Sequence, residues 1–472
     1  MVTPERVGSV PVTVFRPEGG APAPAVLIAH GFAGSQQLMQ PFALTLARNG
    51  YVAATFDFPG HGRNAAALPG GLADRAARTG ALLEALDALA AFVRAQPYAD
   101  GRLALAGHSM ASDVVVRYAA THPEVTATVA ISLFLSGGVT ADRPRNLLVL
   151  YGALEPEALR NEGARVVGPD PGATYGRFDD GTARRLALAG GVEHIGVLYS
   201  GAGLAEARDW LNAAFARQSS GFLDARGPWL GVLYLGLIAL AWPLAGLLPR
   251  VATAPLGAGL DWRQLAPVAV VPAVLTPVVL SQIPAPRLPI LLGDYLALHF
   301  ALYGLFTALG IWLVARRRPR GATPPVAHGK LVVAALAAAA YVTFALGLPA
   351  DRYIMSFVPG AERLPLVVAL LAGTLPYFAA DEWLTRGAGA ARGAYPATKL
   401  LFLASLAGAI ALDLPRLFFL AIIVPAILAF FVVYGLFSRW TYRATNHPFA
   451  GAFANAFAFA WAIAVTFPVV SR

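Results

Sequence analysis

The sequence predicts two fold classes in one chain: an α/β domain built on a largely parallel sheet, then an all-α domain that crosses a membrane several times. Three observations predict this. The chain of 472 residues is 57% hydrophobic and 13% charged, with mean hydropathy +0.58, too apolar for a single water-soluble body. A seam at Ser219-Ser220-Gly221 divides 18 Arg against 19 Asp and Glu (net −1) from 18 Lys and Arg against 8 Asp and Glu (net +10). Before the seam, short β-rich runs alternate with amphipathic segments, and after it apolar stretches of membrane-spanning length recur. The expected domains are residues 1–220 and 221–472.

In the first domain, residues 10–16 alternate like a half-exposed strand and 25–29 (AVLIA) read as a buried one. A helix over 37–49 precedes a strand over 52–56, and 80–94 carry apolar residues at helical spacing. Residues 103–106 form the next strand. A helix continues through 114–120 and closes at His122-Pro123. Two more strands follow at 126–134 and 147–151, then a terminal helix at 204–215 with Trp210 and Leu211 on its buried side. The absence of cysteine excludes disulfides, thiolate chemistry and Cys-ligated metals. No phosphate loop, dinucleotide fingerprint or metal-ligand spacing is present, so no cofactor is implied. The net charge of +9 sits in loops between apolar segments, which reads as membrane topology and not as nucleic-acid binding.

The stretch LALAGHSMAS, residues 103–112, runs an apolar strand into Gly107-His108-Ser109-Met110-Ala111 and then a helix. Small residues two before and two after the serine permit the sharp turn that lifts a hydroxyl above a sheet edge. His30-Gly31-Phe32-Ala33 follows the AVLIA strand, Asp57-Phe58-Pro59-Gly60-His61-Gly62-Arg63 forms a D-x-x-G-x-G loop, and His194 stands late, ahead of the final helix. On these four motifs the first 220 residues resemble the α/β-hydrolase superfamily, which implies a doubly wound, mostly parallel sheet and an acyl-enzyme mechanism. Ala111 departs from the family's usual glycine.

Such chemistry asks for a nucleophile, a base, an acid that orients the base, and donors for an oxyanion. Ser109 supplies the hydroxyl. His30, His61, His108 and His122 lie in or beside the motif loops or ahead of any suitable acid, and His299, His328 and His447 lie in the apolar half, which leaves His194 as base. The family order of Ser, acid, His places the acid after strand 147–151, where Gly152-Ala153-Leu154-Glu155 stands for G-x-x-D. Glu155 is the first choice and Glu157 the alternative; Asp170, Asp179 and Asp180 lie in Gly/Pro-rich loop. The resemblance implies oxyanion donors in the backbone N–H groups of Phe32 and Met110. Asp113 reads as a polar helix residue.

Beyond the seam, eight spans are expected, at 229–248, 265–283, 290–315, 331–348, 364–380, 400–412, 417–437 and 449–470. The second holds Pro267, Pro272 and Pro277, as a kinked or re-entrant segment would, and the sixth is short. Loops after the odd-numbered spans carry 12 Lys and Arg, including Arg316, Arg317, Arg318 and Arg320. The other side has 6, namely Arg226, Arg287, Arg352, Arg363, Arg416 and Arg472. With eight crossings the positive-inside rule places the first domain outside. The N-terminus shows no signal peptide, and a second segment that only dips into the bilayer would make that domain cytoplasmic, which is the expected placement, in a bacterial inner or cell membrane. Asp381, Glu382 and Asp413 are expected at the interface. Asp294 and His299, roughly 140° apart around a helix, form no single face.

The expected activity is a membrane-anchored serine hydrolase of carboxylic, apolar or acyl-lipid esters. Residues 136–146, between two strands, are too few for a helical cap, so the bilayer would cover the substrate. Acyl transfer by the same residues, or a multi-span transporter or membrane-assembly protein with a regulatory hydrolase-like domain, are the alternatives. Partners are an ester or lipid-like substrate and the bilayer, with no nucleic acid and the oligomeric state open.

Overall fold

A computed structural model describes residues 1–70, 74–134, 139–283, 288–318 and 324–471. The chain divides into two compact units. One holds residues 1–232 together with 350–357 and 468–472; the other holds 233–349 and 358–467.

The first unit is an α/β sandwich. Its strands are β1 (Val2–Val7), β2 (Val10–Phe15), β3 (Ala23–Ala29), β4 (Val52–Phe56), β5 (Ala99–His108), β6 (Val125–Ile131), β7 (Leu147–Gly152), β8 (Thr174–Tyr175) and β9 (Arg184–Ala189). They form one nine-stranded sheet in the order β1-β2-β4-β3-β5-β6-β7-β9-β8. From β4 to β9 every pairing is parallel, with antiparallel strands at both margins. The buried lengths of strands β3 to β6 are mostly apolar, with Thr55, Thr128 and His108 the exceptions, as a sheet covered on both faces requires.

Five helices cover that sheet: α1 (Gln40–Arg48), α2 (Arg75–Arg94), α3 (Met110–Thr121), α4 (Glu157–Val167) and α5 (Gly201–Ala214). On one face Ile28, Ala106, Leu148 and Leu150 pack with Phe42 and Leu46 of α1 and Trp210 and Leu211 of α5. On the other, Leu147, Val149 and Leu186 pack with Val116 of α3 and Val167 of α4. Each such large side chain, fully withdrawn from water, stabilises the fold by about 1.5–3 kcal/mol. Strand register lines up Ala29 with Gly107, His108 with Ile131, and Gly152 with Ala189. The carboxyl ends of β3, β5, β6, β7 and β9 therefore share one edge, where a doubly wound sheet places its ligands.

Two segments distant in sequence complete this unit. Val469 N donates to Gly60 O at 2.8 Å, Leu68 N to Val469 O at 2.9 Å and Ser471 N to Leu68 O at 2.9 Å. Gly60 has φ +77°, and a Cβ there would come within 2.4 Å of Val469 O. Ser356 N donates to Ser35 Oγ at 2.8 Å and Ser356 Oγ to Gln37 Oε1 at 2.9 Å, while Arg63 pairs with Asp351 at 2.6 Å.

The second unit is helical and is built from α6 (Gly227–Ala245), whose first turns belong to the first unit, α7 (Trp262–Ser281), α8 (Gly293–Ala315), α9 (His328–Ala340) and α10 (Leu346–Tyr353). It continues through α11 (Leu364–Leu384), α12 (Ala394–Leu412), α13 (Leu414–Thr445) and α14 (Pro448–Thr466). Among the described residues eight helical segments are long and apolar enough to cross a membrane, one of them running His328–Tyr353 through a π-helical turn. The proline-bearing α7 is one continuous 20-residue helix. The sixth segment begins at Ala394, six residues before the expected start, and so takes in Lys399. Helices α8 and α11 meet closely: a Cβ on Gly304 would fall 2.3 Å from Tyr377 N, and one on Gly373 2.4 Å from Ala297 O. Small residues at such crossings let backbones approach where lipid gives no hydrophobic drive.

Asp381 and Glu382, near the end of α11, are enclosed among the helices. They are buried, Asp381 against Lys399 and Glu382 against Arg386 at 3.1 Å and Ser438 at 2.5 Å. Asp413 caps α13, accepting from Arg416 N at 3.3 Å. His299 is buried with Nε2 3.2 Å from Ser405 Oγ. The positions Arg287, Arg320, Arg472 and residues 136–138 of the short inter-strand segment lie outside the described residues.

Candidate active site

Strand β5 ends at His108, and Ser109 turns the chain into α3 with φ +54° and ψ −118°. A non-glycine residue held there costs about 1–3 kcal/mol, which the surrounding packing must hold in place. The turn is tight enough that a Cβ on Gly107 would sit 2.4 Å from Ala111 O. Ala111 itself is fully buried without disturbing the helix start. Ser109 N donates to Ile131 O at 2.8 Å, tying the elbow to the neighbouring strand.

His194, five residues past β9, lies with Nε2 3.1 Å from Ser109 Oγ and Nδ1 2.8 Å from Glu155 Oε2. A carboxylate oxygen only accepts, so Nδ1 carries the proton and Nε2 is left to receive the serine hydroxyl's. Glu155, three residues past β7, has a fully buried side chain. Its other oxygen, Oε1, accepts from Ser132 Oγ at 2.7 Å and Gly152 N at 2.8 Å. The three residues expected from sequence thus meet in one line. Glu157 opens α4 on the surface, and Asp170, Asp179 and Asp180 are all exposed.

Ser132 was not anticipated. It follows β6 directly at φ +56°, buried; a small polar residue just past a parallel strand was the available signal.

Met110 opens α3, so its N–H has no carbonyl within the helix to bond and stands at the positive end of the helix dipole. Phe32 follows Gly31, where a Cβ would come within 3.0 Å of both Ser109 Cβ and His108 O. Only glycine lets this loop approach the serine so closely. His30 Nε2 accepts from Phe58 N at 3.1 Å, and its Nδ1 donates to Gly31 O at 2.8 Å. Asp57 anchors the adjoining loop, accepting from Gln36 N, Gln36 Nε2 and Arg63 N at 2.8–3.0 Å. Among the described residues no cluster of three or more His, Asp or Glu is placed to hold a metal ion.

His108 Nε2 donates to the carbonyl of His194 at 2.9 Å. Burial, and then the neighbouring His194 ring, lower its pKa to about 3. Burial likewise lowers that of His30. An unfolded chain takes up these protons below the ordinary value near 6.5 while the folded chain refuses them, so stability is full above 6.5 and falls as pH drops toward 3. The expected loss at His108 approaches about 1.4 kcal/mol per pH unit. Thermal unfolding between pH 7.5 and 4.5 should fall less steeply in His108→Gln than in the native chain; equal slopes would remove His108 from this account.

Residues 20–155 match the family model described as serine aminopeptidase, S33. The N-terminal domain has the α/β-hydrolase fold. The rest of the chain adds the eight apolar helices. Among solved structures, this domain is similar to Est1E from Butyrivibrio proteoclasticus, solved with ferulic acid bound: 13% identity, TM-score 0.34, covering 46% of this chain and 100% of that one. An epoxide hydrolase from Vigna radiata matches at 23% identity and TM-score 0.23, over 29% of this chain and 39% of its own length. A comparison with curated proteins gave no match.

Proposed function

We propose that the α/β-hydrolase domain cleaves carboxylic esters of apolar acyl groups through Ser109, His194 and Glu155. The observation that carries this reading is the unbroken hydrogen-bond line from Ser109 Oγ through His194 to Glu155. Ser109 Oγ attacks the acyl carbonyl as His194 Nε2 takes its proton, and Glu155 holds the imidazolium that forms. The oxyanion faces the N–H groups of Met110 and Phe32, each such donor being worth about 3–4 kcal/mol in the transition state. His194 returns the proton to the departing alcohol. Water, deprotonated by the same nitrogen, then releases the acid.

An apolar ester fits better than an amino-terminal peptide. Beside each site residue in sequence stands an apolar one: Phe32, Met110, the exposed Leu154 and the exposed Ile195. Glu193, the acid nearest His194 in sequence, is occupied by the N–H groups of Ile195 and Gly196 at 2.7 and 2.8 Å, leaving it poorly placed to bind a free ammonium.

Connectivity supports one side of the membrane. Residues 350–357, at the end of the fourth apolar segment and ahead of the fifth, and 468–471, after the eighth, belong to the same unit as residues 1–232. Each pair must be separated by an even number of crossings, which needs α7 to cross fully. Arg316, Arg317 and Arg318 then face the opposite side, and positive-inside puts the hydrolase domain away from the cytoplasm. This reading differs from the expectation built on a re-entrant second segment.

Sealed right-side-out membrane vesicles carrying the full chain test both parts. Turnover of p-nitrophenyl esters is expected to rise with acyl length, with none on aminoacyl p-nitroanilides, and external protease should abolish it without lysis. Preference for the anilides would overturn the ester reading. Activity protected until lysis would overturn the placement.

A further inference from the structure

In the helical unit, a cavity of about 310 Å³ opens between α12 and α13 and is lined at one end by Arg386, Tyr395, Lys399 and Arg439. We propose that it binds one anionic phospholipid, phosphate on the cations and an acyl chain along the helices. This site is independent of the hydrolase reading, since it shares no residue with it.

The polar end is built. The Tyr395 ring meets two cations, with Lys399 Nζ 3.9 Å and Arg386 Cζ 4.7 Å from its centroid. Lys399 is buried and paired with Asp381, and Arg386 bonds Glu382 and, at 3.1 Å, Ser438. Both carboxylates are thereby committed to those two cations. Arg439, at the same end and exposed, has no carboxylate within ion-pair distance among the described residues. One positive charge is left in excess beside a low-dielectric cavity, where an anion offsets it and a guanidinium can fork onto phosphate oxygens.

Away from the cations the lining is apolar. Leu400, Leu428 and Val432 are 61%, 42% and 57% exposed in the protein alone, so this wall faces the surroundings of the helices. From Leu428 to Arg439 the groove follows α13 for about 16 Å, at 1.5 Å per residue. A soluble anion would use only the charged end. A lipid uses both, and basic pockets between membrane helices are where anionic head groups are held. Trp440, next to Arg439, fits the level of the head groups.

The test uses the full chain purified in mild detergent, with native mass spectrometry reading bound lipid. Phosphatidylglycerol is expected to be retained as a single adduct, and phosphatidylcholine not. Arg439→Gln, which removes the unpaired charge at an exposed position, should weaken retention about tenfold. Val432→Trp, which fills the apolar length, should weaken it without touching the charges. Equal retention of phosphatidylcholine, or undiminished retention by Arg439→Gln, overturns the proposal. So does protection against thermal unfolding by inorganic phosphate alone, which would mark a head-group site without a chain, or by laurate in place of phosphatidylglycerol, which would mark a carboxylate site.

Discussion

Ser109→Ala is expected to abolish labelling by a fluorophosphonate probe and to lower kcat on esters by on the order of 10⁶. The size of the loss comes from removing the only atom that forms the covalent bond, while His194 and Glu155 keep their places. Alanine adopts the same φ of +54° at no less cost than serine, so the fold should be retained and melting should change by little. That separates loss of chemistry from loss of structure. Labelling that persists in Ser109→Ala would place the nucleophile elsewhere.

The second large effect concerns the acid. Glu155→Gln should cost about 10³–10⁴ in kcat, because an amide can present its NH₂ to His194 Nδ1 and so favour the wrong tautomer. The buried amide would also face Ser132 Oγ and Gly152 N, which now donate to Glu155, so some stability should be lost as well. Glu157→Gln, on the surface at the first turn of α4, should leave kcat within a factor of about two. If Glu157→Gln proved the damaging change and Glu155→Gln the mild one, the acid would have been misassigned.

How much of this was legible follows from what each position asks of the chain. The elbow could be read because its geometry restricts residue type: Gly107 has no room for a side chain, and the strand before it is a continuous apolar run. Glu155 could be placed because β7 is apolar to its end. Strand β9 was missed because it opens on Arg184 and Arg185. Arg184 is buried only by donating to the carbonyls of Ala183, Thr140 and Ala141, a solution no periodicity reveals. His194 was therefore reached by exclusion and not by strand order.

In the helical unit the apolar segments were plain from length and hydropathy, but their polar contents were not. Lys399 was counted as a loop charge because the sixth segment was begun at Leu400. Once α12 starts at Ala394, the lysine falls inside the bundle and supplies Asp381 with its partner. The pairing of 350–357 and 468–471 with the first unit joins residues hundreds of positions apart, and no local pattern encodes such a contact.

That pairing also bears on the order of events during synthesis. Residues 1–232 leave the ribosome long before 468–471 exist, so the loop around Gly60 and Leu68 waits for its last backbone partners until α14 has been made. Contacts of such sequence separation are the slowest to form. The α/β unit is therefore closed by its own C-terminal tail: the strand-like residues that finish the Asp57 to Leu68 region become available only after α14 has been translated.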